Sequence, residues 1–119
     1  MRLIFVYNAK SGKQNTIIDS IHKVVSPSTY NCNLCSLTFG LFNEKEQWKN
    51  FREQSNHKME FYHIDEFQKE FSVKEASKYT FPIILSEENL VLKIVVTPQR
   101  LNELKTIDLL IEEIISKSN

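Results

Sequence analysis

Residues 79–85 read YTFPIIL, an apolar stretch in which Pro82 opens a predicted β-strand. Residues 87–89 (EEN) predict a turn after it, and the apolar residues 90–96 predict the next strand. Two strands joined by so short a turn predict an antiparallel β-hairpin. We therefore expect this hairpin to form one side of a sheet.

The segments on either side of the hairpin complete an α/β order. Residues 3–7 and 59–64 predict two more strands, and the first is continuously apolar, as in a strand covered on both faces. Amphipathic patterns and start signals predict helices at residues 14–25, 43–54 and 65–78, after Thr97-Pro98, and from Thr106 onward. The order predicts a single domain, residues 1–119, with the first two strands parallel.

Several details of this order make specific expectations. Asn43 and Glu46 have the spacing of a capping box. Residues 28–42 are too apolar for a free loop, and we expect this insertion after the first helix to pack on the domain. The side chains expected to face the core from the helices are Trp48, Phe51, Phe67, Phe71, Val73, Ile107, Leu110, Ile111, Ile114 and Ile115.

Charge and hydropathy exclude some classes of protein. Lys+Arg and Asp+Glu number 15 each, and a net charge of zero gives no field to hold a polyanion, so we expect no nucleic-acid partner. No apolar run approaches the roughly 20 residues of a membrane span, and residues 1–8 are too short for a signal peptide. We therefore expect no membrane association and a cytoplasmic location.

The predicted order resembles the thioredoxin fold, and residues 81–85 (FPIIL) carry that resemblance. In that family a cis proline opens the third strand and lies beside the active-site loop; a β-hairpin and a closing amphipathic helix follow. The resemblance implies a central mixed sheet of about four strands with helices on both faces. It also implies that Pro82 lies close to the site of chemistry.

The cysteines depart from the position that the resemblance implies. In thioredoxins a Cys-x-x-Cys motif directly follows the first strand, whereas here residues 8–12 (NAKSG) stand there. The only two cysteines, Cys32 and Cys35, form a Cys-x-x-Cys pair inside the insertion. Such a pair can exchange thiols, bind a metal or serve as plain core, and a reduced pair is the default without a secretory leader.

A metal at this pair would need two further ligands. His57 and His63 are the nearest histidines along the chain after Cys35, and the pattern resembles a two-Cys, two-His finger. The gap between the cysteines and the histidines is too long for that motif, and a predicted helix fills it. We therefore expect no metal, and no motif predicts a cofactor.

Residues 6–12 (VYNAKSG) and 30–38 (YNCNLCSLT) also resemble small uncharacterised bacterial proteins, some of them labelled GTPase. A P-loop reads Gly-x-x-x-x-Gly-Lys-[Ser/Thr]. Aligned on Gly12, that motif places Tyr7 at the first glycine and Gln14 at the hydroxyl residue, and neither fits. No Asn-Lys-x-Asp is present to bind guanine, so the sequence disfavours GTP hydrolysis.

The loop after the first strand is the second candidate site. Polar loops at the carboxyl ends of strands are where open α/β sheets bind ligands. Backbone N–H groups, lysines and a hydroxyl there can hold a phosphate or another anion; the loop also resembles the Asn-Pro-x-Ser-Gly loop of lipid kinases. Its candidate ligand-binding residues are Asn8, Lys10, Ser11, Gly12 and Lys13.

Three hypotheses of different classes follow. In the first, Cys32 attacks and Cys35 resolves in thiol–disulfide exchange near Pro82, with a protein thiol as partner. In the second, the chain is a non-catalytic module whose Asn8–Lys13 loop binds a small anionic molecule or a protein. In the third, it is a structural or interaction protein without either activity. The residue types allow all three.

Overall fold

The computed structural model describes residues 2–8, 33–38 and 44–118. These ranges contain four strands and six helices. In chain order they are β1 (Arg2–Val6), α1 (Asn33–Thr38), α2 (Glu46–Gln54), β2 (Lys58–Tyr62), α3 (Ile64–Phe71), α4 (Val73–Ala76), β3 (Ile83–Glu88), β4 (Val91–Val96), α5 (Pro98–Glu103) and α6 (Ile107–Ser118). The helix predicted at residues 14–25 lies outside the described residues.

The four strands form one open mixed sheet in the order β2-β1-β3-β4. β1 is parallel to β2, with Val6 opposite Tyr62. β1 is antiparallel to β3, with Val6 opposite Ile83, and β3 is antiparallel to β4. The predicted parallel first pair and the predicted antiparallel hairpin are both confirmed.

Side chains alternate along β1 and divide the core into two layers. Leu3, Phe5 and Tyr7 pack in one cluster, whereas Ile4 and Val6 pack in the other. The first cluster takes its helical residues from α1, α2, α5 and α6, and the second takes them from α3 and α4. Helices therefore cover both faces of the sheet, and Leu3 to Val6 of β1 are fully buried between them, as their continuously apolar run predicts.

The helix predicted over residues 65–78 is wrong as a single element. Ser72 has φ 93° and divides it into α3 and α4. The Ser72 hydroxyl then accepts a hydrogen bond from the backbone N–H of Glu75 at 3.1 Å and caps α4. Because of this break, Val73 does not face the core and is 66% exposed, whereas Phe67 is fully buried.

Two further helix expectations are corrected. α2 begins at Glu46 with Lys45 as its N-cap residue, so it does not start at Asn43, which lies outside the described residues. In α6, Leu110 and Ile114 are buried as expected, but Ile115 is 47% exposed because it lies beyond the edge of the buried stripe. The Thr97 and Thr106 start signals are confirmed: their hydroxyls accept from Arg100 N–H at 3.1 Å and Leu109 N–H at 3.2 Å.

The hairpin turn lies further along than predicted. β3 extends through Glu88, so the central turn residues are Asn89 and Leu90. Their φ angles are 54° and 67°, and two positive φ angles in succession are the pattern of a type I′ turn. Within the described ranges, no helix is long and apolar enough to cross a lipid bilayer.

Candidate functional site

The carboxyl ends of the parallel strands β1 and β2 meet at one edge of the sheet. The Tyr7 N–H donates to the Tyr62 carbonyl at 2.9 Å and so extends the pairing by one residue. The rings of Tyr7 and His63 follow, with centroids 6.0 Å apart. Asn8, which is partly exposed, comes directly after Tyr7. This is the edge at which open α/β sheets place their ligands.

Pro82 enters the sheet at the same edge. Ile83 pairs with Val6 at the start of β3, so Pro82 precedes β3 beside the end of β1. The Phe81–Pro82 peptide bond is cis. Pro82 is buried, so a substrate would touch this residue only after neighbouring side chains had moved.

Cys35 lies on α1, against the sheet face that carries Leu3, Phe5 and Tyr7. Its side chain is partly buried, and its sulfur is disulfide-bonded. Cys32 lies outside the described residues. The expectation of a reduced pair is therefore wrong for Cys35 in this structure.

Buried leucines and polar bonds fix α1 in place. Leu34 is fully buried and Leu37 nearly so, which confirms for this part of the insertion that it packs on the domain. The Asn33 side-chain amide donates to the carbonyl oxygens of Leu101 and Leu104, the latter at 2.9 Å. At the other end of α1, the Thr38 carbonyl accepts from the Lys45 N–H at 2.8 Å.

The bonds of Asn33 are a feature that sequence analysis missed. Its acceptors are backbone carbonyls at the end of α5, and the Leu101 carbonyl also accepts from the Leu104 N–H at 3.3 Å. Such acceptors have no residue-type signature. The one available signal was the place of Asn33 between the two cysteines.

The structure brings only part of the predicted loop to the candidate edge. Asn8 is there, whereas Lys10, Ser11, Gly12 and Lys13 lie outside the described residues. The predicted sites are thus represented by Asn8, Cys35 and Pro82. Among the described ranges, no group of three or more His, Cys, Asp and Glu residues comes together to hold a metal ion.

His63 caps the helix at this edge. The Glu66 carboxylate accepts from the His63 backbone N–H at 2.8 Å, and the same oxygen lies 2.9 Å from His63 Nδ1. The backbone bond, with the His63 side chain adding to it, holds the pKa of Glu66 below its ordinary value. A helix-capping role accounts for both residues.

A second polar cluster, also missed from sequence, lies toward the amino end of β1. Arg2 Nη1 is 2.8 Å from Glu60 on β2, and Arg2 Nη2 is 2.8 Å from Glu87 on β3. The Tyr62 hydroxyl donates to Glu60 Oε1 at 2.8 Å. Burial and this bond to a carboxylate raise the pKa of Tyr62 to about 12. The cluster joins three strands and serves the fold.

Comparisons with protein-family models, with curated proteins and with solved structures find no match to this chain.

Proposed function

We propose that the chain carries out thiol–disulfide exchange through Cys32 and Cys35 in a thioredoxin-like domain. The observation that carries the proposal is the disulfide-bonded Cys35 in a partly buried position on α1. A partly buried cysteine suits a resolving role. It can attack the neighbouring cysteine, while burial limits its reaction with thiols in solution.

The architecture supports the thioredoxin-like part of the proposal. The cis Phe81–Pro82 bond stands directly before β3, β3 and β4 form a hairpin, and the amphipathic α6 closes the described chain. These are the features that the resemblance implies. The insertion that carries the cysteines is the departure, and it places Cys35 on a helix packed against α5 and α6 rather than after β1.

The proposed reaction reduces a protein disulfide. The Cys32 thiolate attacks one sulfur of the substrate disulfide and releases the other as a thiolate, which leaves a mixed disulfide. The Cys35 thiolate then attacks the Cys32 sulfur, releases the second substrate thiolate and closes the Cys32–Cys35 bond. Two electrons pass to the substrate, and a dithiol reductant returns the pair to the reduced form in a reducing cytoplasm.

The test uses the full chain, reduced with dithiothreitol and then freed of it. Alkylation rates measured across pH by mass spectrometry should show one cysteine that reacts in the folded protein below about pH 8.5, the free-thiol pKa. Cys35→Ser should accumulate a mixed disulfide with a disulfide-containing test protein, whereas Cys32→Ser should not. If neither thiol of the folded protein reacts below that pH, the proposal fails.

Ligand binding at the Asn8–Lys13 loop is the second candidate. Its support is the position of Asn8 just beyond the carboxyl end of β1, at the ligand edge of the sheet. Inorganic phosphate and nucleotides at millimolar concentration should raise the melting temperature if the loop binds anions. A Lys10→Ala, Lys13→Ala variant is the matched control. An unchanged melting temperature would exclude this candidate.

A further inference from the structure

The side chain between the two cysteines fastens their helix to a distant part of the fold. Asn33 is the first residue of α1, and its single amide nitrogen donates to two carbonyl oxygens, those of Leu101 and Leu104. Leu101 lies in the last turn of α5 and Leu104 is its C-cap residue. Both leucine side chains are buried, so the acceptors belong to a packed part of the domain.

The bonding capacity of the Asn33 amide matches this arrangement. A side-chain amide carries two N–H donors, and each finds a carbonyl here. The Leu101 carbonyl also accepts the Leu104 backbone N–H at 3.3 Å, so Asn33 adds a second bond there and caps the end of α5 from elsewhere in the chain. We call the bonds of Asn33 to the carbonyls of Leu101 and Leu104 the Asn33 clamp.

The clamp acts on the backbone that separates the two sulfurs. Asn33 is joined by its peptide bond to Cys32, and Cys35 lies two residues further on in the same helix. A disulfide forms only when the two α-carbons are about 4.4–6.8 Å apart with their side chains converging. The clamp holds Asn33, the residue that follows Cys32 in the chain, and the first turn of the helix that carries Cys35 against α5.

We propose that Asn33 is a positioning residue that lowers the freedom of the reduced Cys32/Cys35 pair and so favours its disulfide; this role rests on the proposed thiol–disulfide function. The disulfide itself ties the oxidised form, with or without the clamp. The reduced form has no such tie, so loss of the clamp gives freedom mainly to the dithiol. Without the clamp, the pair is more easily reduced.

The experiment measures the equilibrium of the folded protein with glutathione. The protein disulfide and two reduced glutathione molecules exchange with the protein dithiol and one glutathione disulfide, and alkylation mass shifts give the populations. Asn33→Ala should shift this equilibrium constant about three- to thirtyfold toward the dithiol, the effect of releasing roughly one backbone residue. Asn33→Asp, which keeps the shape but loses both donors, should shift it in the same direction.

Thr97→Ala is the matched control, because it removes a hydrogen bond from the other end of α5. The Thr97 hydroxyl accepts from the Arg100 N–H at 3.1 Å and does not involve α1. The Asn33 variants and Thr97→Ala should all lower the urea midpoint, but only the Asn33 variants should change the glutathione equilibrium. If Thr97→Ala changes it equally, or if neither variant does, Asn33 has only a structural role and the proposal is overturned.

A measurement on the unmodified protein covers the case in which the Asn33 variants fail to fold. The two side-chain amide protons of Asn33 should exchange with water more slowly than those of the exposed Asn102, as followed by nitrogen-15 NMR. Equal exchange rates would overturn the clamp.

The glutathione equilibrium exists whether or not the protein turns over substrates. Failure to reduce a test protein therefore counts against the proposed function and leaves the clamp standing.

Discussion

Arg2 Nη2 lies 2.8 Å from Glu87 Oε2, and this ion pair fastens β1 to β3 across the sheet. The same guanidinium lies 2.8 Å from Glu60 Oε1 on β2, so one side chain joins three strands. The Phe71 ring of α3 faces it, with its centroid 5.5 Å from the guanidinium carbon. The three charged side chains are 20–23% exposed, and solvent screens such pairs less than it screens pairs on an open surface.

Arg2→Met should lower the free energy of unfolding by about 1–3 kcal/mol, because it leaves two partly buried carboxylates without their guanidinium. Urea unfolding at neutral pH measures the change. Lys58→Met is the control: the Lys58 side chain is 73% exposed and its Nζ lies 3.5 Å from Glu60 Oε2, so its removal should cost less than about 0.5 kcal/mol. Equal losses in the two variants would contradict the bridging role of Arg2.

Acid should weaken the tie between Arg52 and Glu44. Arg52 Nε and Nη2 donate to the two Glu44 oxygens at 2.8 and 2.7 Å, and these bonds hold the pKa of Glu44 below its ordinary value of 4.5. A carboxyl with a lowered pKa contributes stability that is present above its unfolded pKa and lost as the pH falls through its folded one. The stability difference between wild type and Arg52→Met should therefore shrink below about pH 4.5.

Urea midpoints of both proteins, measured from about pH 7 to pH 3, give this difference directly. Lys105→Met removes the same charge from an exposed position and controls for the change in net charge. Its difference from wild type should stay small across the range. A difference for Arg52→Met that grows toward low pH has the opposite sign from the one expected and would rule out the Glu44 tie as its cause.

Trp48 should be the most costly single aromatic side chain to remove. It is fully buried, and its ring meets Phe5 edge-on with centroids 5.5 Å apart. Trp48→Ala should lower the free energy of unfolding by about 3–5 kcal/mol. Trp48→Phe should lower it much less, because phenylalanine fills most of the space. The Trp48→Phe change also removes the buried indole Nε1–H, which finds no acceptor among the residues that the structure describes, so no hydrogen bond to a described residue is lost.

Circular dichroism in urea follows both variants, since the chain has no other tryptophan to report by fluorescence. Leu109→Ala on α6 is the comparison, because Leu109 is 43% exposed and its loss should cost less than about 1 kcal/mol. A phenylalanine variant as unstable as the alanine variant would mean that packing tolerates no smaller ring.

The hairpin turn should accept glycine with a gain. Leu90 has φ 67° and is 91% exposed, so its side chain contributes little to the core while its Cβ disfavours this backbone conformation. Leu90→Gly should raise the free energy of unfolding by about 0.5–1 kcal/mol, after the greater freedom of glycine in the unfolded chain is counted. Leu90→Ala keeps the Cβ and should show no such gain in melting temperature; an equal gain would point to the lost apolar surface instead.

The strands could be predicted because their apolar residues indicate which positions are buried. Leu3 to Val6 are all fully buried, and an uninterrupted apolar run is what burial on both faces requires. The spacing from Phe67 to Phe71 fits a continuing helix; the helix pattern weakens around Ser72, but it does not predict a break there. The positive φ depends on packing around α3 and α4, which no local pattern specifies.

The candidate site shows the same limit. The pair of cysteines is visible in the sequence, but whether Cys35 is bonded or free depends on the local backbone. The partners of Asn33 are carbonyls far along the chain, and every residue has a carbonyl. Residue types therefore pointed to Cys35 and Pro82, whereas the contacts that position α1 could be identified only from the folded structure.

The place of β1 in the middle of the sheet has a consequence for translation. The ribosome makes β1 long before it makes β3. Ile83, the first residue of β3, pairs with Val6 and follows it by 77 positions (83 − 6). Until then the strand has an unpaired edge of main-chain amides and an apolar flank, which are the features that holdase chaperones recognise. Nascent chains that end before β3 should therefore be bound by such chaperones, and release should follow once the hairpin has emerged.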